Sequence, residues 1–273
     1  MDKTSTSQRS SPVGPAIDRF FLELHEVSNF LAVRTHRSID DSFCLNLVDI
    51  FAIGELLTRK DHFSLLLDQF SKEEKLYFSR FRYAKRQQEW LGGRLAAKYS
   101  LLALPAFKNK YSTPNELTIL PDAFGRPQPI NMTPGETVSC SISHSNRFAV
   151  GIASSSKVCG IDIQRIGQQI TRVVNRFADK KEKKILEDRL PMYEKTAQLT
   201  MLWAAKEAVK KSLLFDQPSF FQGITLMNIR KNKNLCGYTF LCACAGAQRK
   251  SVSISVVPLE EYMLAYTGVE DHA

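Results

Sequence analysis

The stretch TVSCSISHSNRFAVGIASSSKVCGIDIQ, residues 137–164, decides how the fold is read. Over Thr137–Ser143, Val138, Cys140 and Ile142 alternate with polar residues, the period of two that lays one face of a strand on a core. RFAVGIA, Arg147–Ala153, follows after a short polar link, so the two runs form a hairpin with His144, Ser145 and Asn146 at its tip. KVCGIDIQ, Lys157–Gln164, adds another short strand, and the break between Ala153 and Lys157 is the expected seam between two lobes.

Upstream, Ser71 followed by Glu74 fits a capping box, and Leu91, Leu95, Tyr99 and Leu102 recur at helical spacing. This predicts a helix from Ser71 to about Leu104, ended by Pro105. A stretch holding Pro114, Pro121, Pro127, Pro129 and Pro134 then reaches the hairpin, with FGRP, Phe124–Pro127, as a turn. Downstream, the charged segment Thr171–Lys195 reads as helix. TAQLTMLWAAKEAVKKSLLF, Thr196–Phe215, is an amphipathic helix carrying Leu199, Leu202, Val209 and Leu213 on one side. Beyond Pro218, Ile224–Ile229, Gly237–Ala243, Ser251–Val257 and Met263–Tyr266 read as antiparallel strands.

Helices and strands in both halves describe an α+β protein with two comparable lobes, each a small antiparallel sheet packed with helices. The length of 273 residues, at about 150 per domain, agrees. The expected organisation is a disordered leader over 1–16, an N-terminal lobe over 17–155 that includes the apolar Phe43–Leu57, and a C-terminal lobe over 156–273.

Apolar residues at 44% and charged residues at 24% exclude wholesale disorder, collagen and coiled coil. No apolar run approaches the ~20 residues of a membrane helix, and the polar N-terminus lacks the apolar centre of a secretory signal. A cytoplasmic, monomeric protein is expected. The six cysteines form no CxxC pair and read as reduced, buried small hydrophobes. The net charge of +9 points to an anionic partner without choosing among nucleic acid, phospholipid, nucleotide and acidic protein.

Four groups of residues carry chemistry. Asp162 and Gln164, two apart on a strand, project together while Ile161 and Ile163 face the core. Two hard oxygen donors suit magnesium, and Gly160 admits a ligand or a backbone close by; the same spacing also serves a solvated strand face. Trp203, Glu207 and Lys211 share one helical stripe flanked by Lys206 and Lys210, which fits an acid handling a metal or a proton among cations that neutralise phosphate. An ordinary Glu207–Lys211 helix pair has the same pattern. Ser143, His144 and Ser145 offer donors to an anion, and adjacent strand residues point apart, which disfavours a Ser–His nucleophile. Arg86 and Arg94 lie about two helical turns apart, and Arg126 sits in the FGRP turn; the arginine fork suits phosphate. No Walker-type loop, GxGxxG, HExxH or zinc-finger spacing is present.

In chain order, KRQQEWLGGR (85–94), GRP (125–127), SHS (143–145), GIDIQ (160–164) and WAAKEAVKK (203–211) resemble the Sfp-type 4'-phosphopantetheinyl transferases, particularly the branch serving siderophore synthases. The resemblance covers about Ser71–Phe215, and its most specific part is the closing Trp, Lys-Glu-Ala and Lys. It implies two lobes related by a pseudo-twofold, with coenzyme A and magnesium in the cleft between them. The activity implied is transfer of the phosphopantetheine arm of coenzyme A to a serine of an acyl or peptidyl carrier protein, with release of adenosine 3',5'-bisphosphate. By position, Asp162, Gln164 and Glu207 match the metal ligands, and Glu207 is also the favoured base. Lys211 matches the lysine that neutralises the diphosphate, with Lys206 its companion. Arg86, Arg94, Arg126 and His144 fall where the family grips coenzyme A. Gln164 departs from the glutamate many members carry there, so one negative charge is missing. A degenerate member that binds coenzyme A or carrier without turnover is one alternative reading. A basic nucleic-acid binder, argued from Lys180–Lys184 and Arg230–Lys233, is another. Acidic carriers would be drawn to the basic surface.

Overall fold

In the computed structural model, β6 (Ser139–Ser145) and β7 (Phe148–Ser154) pair antiparallel as the hairpin, and β8 (Lys157–Arg165) comes next. The structure describes residues 14–28, 31–37, 42–107, 109–130, 132, 137–214, 221, 223–232, 236–245 and 250–270. The leader expected over 1–16 lies largely outside them, as do Pro134, Phe215, Pro218 and Lys233. The hairpin tip is Asn146–Arg147, with Asn146 in the left-handed region at φ 52, so His144 and Ser145 belong to β6.

Before the hairpin come α1 (Pro15–Phe20), β1 (Glu23–Ser28), β2 (Leu31–Arg37), β3 (Cys44–Asp49), α2 (Ile50–Leu57), α3 (Lys60–Leu67), α4 (Lys72–Phe78), α5 (Ala84–Leu102), β4 (Thr118–Pro121) and β5 (Pro127–Ile130). After β8 come α6 (Gln169–Val173), α7 (Lys180–Arg189), α8 (Lys195–Leu213), β9 (Ile224–Asn232), β10 (Gly237–Cys244), β11 (Lys250–Leu259) and β12 (Tyr262–Glu270). The fold class is α+β: two five-stranded antiparallel sheets in the orders β1-β2-β3-β7-β6 and β8-β12-β11-β10-β9, with β4 and β5 as a separate small hairpin. The sheets part between Ser154 and Lys157.

Each sheet carries one long helix, and a glycine sets its depth. A Cβ on Gly151 would overlap the α5 backbone at Ala97, and one on Gly160 would overlap the Ala208 carbonyl of α8. Of the two uses open to Gly160, close approach of a backbone is the one found. The opposite faces share a core: Leu45, Leu47, Val150 and Ile152 from one sheet pack with Ile161, Ile163, Leu264 and Tyr266 from the other. The edge strands β6 and β8 meet without a backbone ladder and run parallel at an offset of 20 residues. Ser139 Oγ accepts from Cys159 N at 3.0 Å, Ser141 Oγ from Ile161 N at 3.3 Å and Ser145 Oγ from Arg165 N at 3.0 Å.

Two expected helices are broken. Ser71 and Glu74 form the capping box, but the helix stops at Phe78 and restarts at Ala84. The intervening turn lets Tyr77, Phe78 and Phe81 stack around Trp90, with ring centroids 5.8–5.9 Å apart. The Thr171–Lys195 segment splits into α6, a single 3-10 turn and α7, because Asp179 caps a fresh start and Pro191 stands just past the end.

Candidate active site

Asp162 stands at the seam. Gly160 lets α8 lie directly on β8, so the side chain two residues along meets that helix. Asp162 is buried, at 6% exposure, and its Oδ1 accepts from Ser143 Oγ at 2.7 Å and from Lys211 Nζ at 2.8 Å. Lys211 Nζ also donates to the Ile161 carbonyl at 3.0 Å. The second oxygen, Oδ2, is buried with no hydrogen-bond partner among the described residues. A buried carboxylate oxygen left bare costs free energy unless a donor or cation meets it.

Glu207 lies one turn before Lys211 on the same stripe of α8 and is half-buried. Burial first, and the negative charge of Asp162 second, hold its carboxyl above the usual carboxylate range, opposed by Lys211 and Lys210. His144, on β6, is held below its usual value chiefly by burial; Glu89 pulls the other way, while Arg86 and Lys211 add to the fall. Its Nδ1 is 3.7 Å from Glu89 Oε1, and Arg86 Nη1 is 3.7 Å from Glu89 Oε2. Arg86, Glu89, His144, Asp162, Glu207 and Lys211 therefore form one titratable cluster across the seam. Glu89 and the Ser143 contact are additions to the set drawn from sequence. Ser143 was legible as a polar group on β6, Glu89 only as one more charge on α5.

A cavity of about 480 Å³ opens beside this cluster, between the β4–β5 turn, β6, the β7–β8 turn and the end of α8. Arg126, Lys157, Lys210 and Lys211 bring positive charge to its wall, Ser139 and Ser141 bring hydroxyls, and Glu207 faces it. Arg126 is fixed by Asp122, whose carboxylate accepts its Nε at 2.7 Å and its backbone N at 2.9 Å. Cation density on three walls suits a multiply charged anion such as a diphosphate.

Other expected residues are placed differently. Arg94 does not share an open face with Arg86: it is buried, donates Nε to the Ile119 carbonyl at 2.9 Å and lies 5.3 Å from the Trp90 ring centroid, pinning β4 to α5. Gln164 is half-buried on the same face as Asp162, but the hydrogen bonds to Asp162 come from Ser143 and Lys211. Lys206 turns away from the cavity toward α7, where Nζ is 2.7 Å from Glu182 Oε1 and donates to the Phe177 carbonyl at 2.6 Å. As neighbours in an α-helix, residues 206 and 207 point about 100° apart, which the motif alone does not display.

Among the described residues, no three His, Cys, Asp or Glu side chains gather as a metal cluster. Of the three carboxylates in the titratable cluster at the seam, Asp162 and Glu207 repel each other, while Glu89 lies against His144 and Arg86. The chemistry of Asp162 and Glu207 still fits a hard divalent cation, since a bare buried oxygen and two mutually repelling acids both gain from one.

A family model described as the 4'-phosphopantetheinyl transferase superfamily matches residues 158–267, which hold Asp162, Glu207 and Lys211. The holo-[acyl-carrier-protein] synthase of Geobacillus kaustophilus (strain HTA426) is 34% identical over 107 residues, covering 39% of this chain and 81% of that protein. Among solved structures, the 2.31 Å crystal structure of a holo-(acyl-carrier-protein) synthase from Bacillus anthracis str. Ames, in complex with CoA (3',5'-ADP), aligns with a TM-score of 0.34 at 22% identity. That alignment covers 41% of this chain and 92% of that one.

Proposed function

The chain belongs to the 4'-phosphopantetheinyl transferase superfamily, and from that premise we propose that it moves the phosphopantetheine arm of coenzyme A to a serine of an acyl or peptidyl carrier protein. The observation that carries this reading is Asp162: one oxygen tied to Ser143 and Lys211, the other bare, opposite Glu207 at the edge of a cationic cavity. The match to residues 158–267 supports the Asp162, Glu207 and Lys211 roles, while those of Arg86, Arg126 and His144 rest on position alone.

In this reading the diphosphate of coenzyme A lies against Arg126, Lys210 and Lys211. The serine oxygen of the carrier bonds to the phosphorus that bears the pantetheine arm. The bond from that phosphorus to the oxygen bridging the two phosphates breaks, and adenosine 3',5'-bisphosphate leaves. Glu207 takes the serine proton: an acid whose affinity for protons is raised by burial is a better base near neutral pH than an exposed one. Asp162 and Glu207, with Gln164 adding a neutral oxygen, would hold magnesium, which supplies charge neutralisation on the phosphates. Lys211 fixes Asp162 and offsets the charge that develops on the leaving group. The nucleophile belongs to the partner, so the chain needs no activated serine of its own.

The lobes divide near residues 155 and 156, in keeping with the two sheets. The family match covers only the second of them, and the five motifs running back to residue 85 favour the two-lobed Sfp type, siderophore-associated branch. The carrier is acidic, drawn by the net charge of +9, and the enzyme acts as a monomer. The test is incubation with coenzyme A, magnesium and apo carrier protein, read by intact mass. A gain of one phosphopantetheine arm is expected; no gain on any carrier that a control transferase modifies would overturn the reading.

A further inference from the structure

Lys206 sits in a buried arrangement that the first lobe repeats. Asp179 and Glu182 form a capping box at the start of α7, with Asp179 N donating to Glu182 Oε2 at 3.0 Å and Glu182 N to Asp179 Oδ1 at 2.8 Å. Glu182 Oε1 also accepts from Leu226 N of β9 at 2.7 Å and pairs with Lys206 of α8. In the first lobe, Ser71 and Glu74 cap α4 in the same way. Glu74 Oε1 accepts from Ile119 N of β4 at 3.0 Å, and its other oxygen pairs with Lys98 of α5. Each lysine then donates to the backbone just before its cap, Lys98 to Gln69 O at 3.0 Å and Lys206 to Phe177 O at 2.6 Å. The spacing from glutamate to lysine is 24 residues in both lobes, 74 to 98 and 182 to 206. All four residues are at most 3% exposed.

The residues after each lysine differ. Lys98 is followed by Tyr99 and, four later, by Ala103; Lys206 is followed by Glu207 and, four later, by Lys211. The clamp is thus present in both lobes, and the acid–lysine pair in only one. A clamp that recurs where no chemistry stands beside it has a structural task.

We infer that Lys206 is a positioning residue that fixes the rotation of α8, so that Glu207 and Lys211 face the cleft, and that it does not touch coenzyme A. This rests on the transferase reading above. A helix bound at one azimuth by a buried ion pair, and at one depth by Gly160 against Ala208, has little freedom to swing the Glu207 carboxyl away from Asp162.

The test uses the full chain with three changes: Lys206→Met, Glu182→Gln with Lys206→Met, and Lys98→Met. Lys206→Met strands a buried carboxylate, whereas the double variant removes both charges and keeps the cap. With coenzyme A and an apo acyl carrier protein, Lys206→Met is expected to lower kcat about tenfold or more with the KM for coenzyme A within about twofold. The double variant should regain thermal stability and most of kcat at the same KM. Lys98→Met should lose a similar amount of thermal stability, yet keep the wild-type kcat at temperatures where it stays folded. A KM for coenzyme A raised about tenfold in the double variant would make Lys206 a ligand and overturn the inference. So would an unchanged kcat in Lys206→Met. If Lys206→Met does not fold, the KM of the double variant decides. Should the wild-type chain transfer no arm at all, the proposed function fails. The clamp is then judged by melting alone: matched losses in the two lysine variants and rescue by Glu182→Gln sustain it, and their absence overturns it.

Discussion

Lys211 Nζ lies 2.8 Å from Asp162 Oδ1, joining the last turns of α8 to the edge strand β8 at the seam, while Asp162 Oδ2 has no partner among the described residues. The ion pair accounts for one side of the carboxylate. Lys211→Met would leave Asp162 without its cation and with more need of one. A loss of transfer rate of about a hundredfold is expected, of the order found when one preorganised charge is deleted from an active site. Steady-state transfer to an apo carrier measures it, and a change below about threefold would remove Lys211 from the reaction.

Ser143 donates to the same Oδ1 at 2.7 Å from β6 of the other sheet. Ser143→Ala should cost about 1–3 kcal/mol of stability at a buried charged acceptor and raise the magnesium concentration needed for half-maximal transfer. Titration of activity against magnesium checks it; an unaltered magnesium midpoint would count against a role for Ser143 in aiming Asp162.

Glu207 sets a pH dependence whose sign is fixed by its environment. Burial first and Asp162 second raise its carboxyl above the usual range, so the folded, metal-free protein holds that proton more tightly than the unfolded chain does. The cost of ionising Glu207 is absent below the unfolded value and appears as pH rises through the folded one. In chelator, Glu207→Gln is expected to melt above wild type at about pH 8 and level with it near pH 4. Melting curves at the two pH values decide, and a gap of equal size at both would refute the assignment.

Gly160 carries the contact that seats α8. Gly160→Ala would drive a methyl into the Ala208 carbonyl, and a loss of at least about 3 kcal/mol is expected, with transfer falling alongside stability. Chemical denaturation measures the difference. A variant as stable as wild type would mean that α8 can lift from β8 at no cost.

Five of the six cysteines are buried, and Cys236 is exposed. Burial pushes the Cys159 thiol up to about 12 and the Cys140 thiol higher still, so neither is a thiolate near neutral pH. Iodoacetamide at about pH 8 should modify Cys236 in the native protein and all six thiols in denaturant. Peptide mapping reads the sites; rapid native labelling of Cys159 would show that the seam opens.

The features that sequence displayed are those fixed by neighbours along the chain. The Ser71–Glu74 box, the β6–β7 hairpin and the stripe of Glu207 and Lys211 all come from spacing, and all are present. Spacing could not show which way a buried polar side chain turns. Lys206 stands beside Glu207 in the motif yet points into the lobe, because Glu182, 24 residues upstream, meets it there. Arg94 keeps helical register with Arg86, but the chain folds β4 over it. The strands β1 and β2 went unread because ELHEVS and LAVRTHR interleave charged with apolar residues, whereas β7 is buried along its whole length.

The most direct measurement compares wild type with Asp162→Asn/Glu207→Gln in a single assay: intact mass of an apo acyl carrier protein after incubation with coenzyme A and magnesium. Wild type should add one phosphopantetheine arm to the carrier, and the double variant, removing these two carboxylates at nearly constant shape, should add none in the same time. Transfer by the double variant at the wild-type rate would contradict the account, since the arm would then move without the two groups on which it depends.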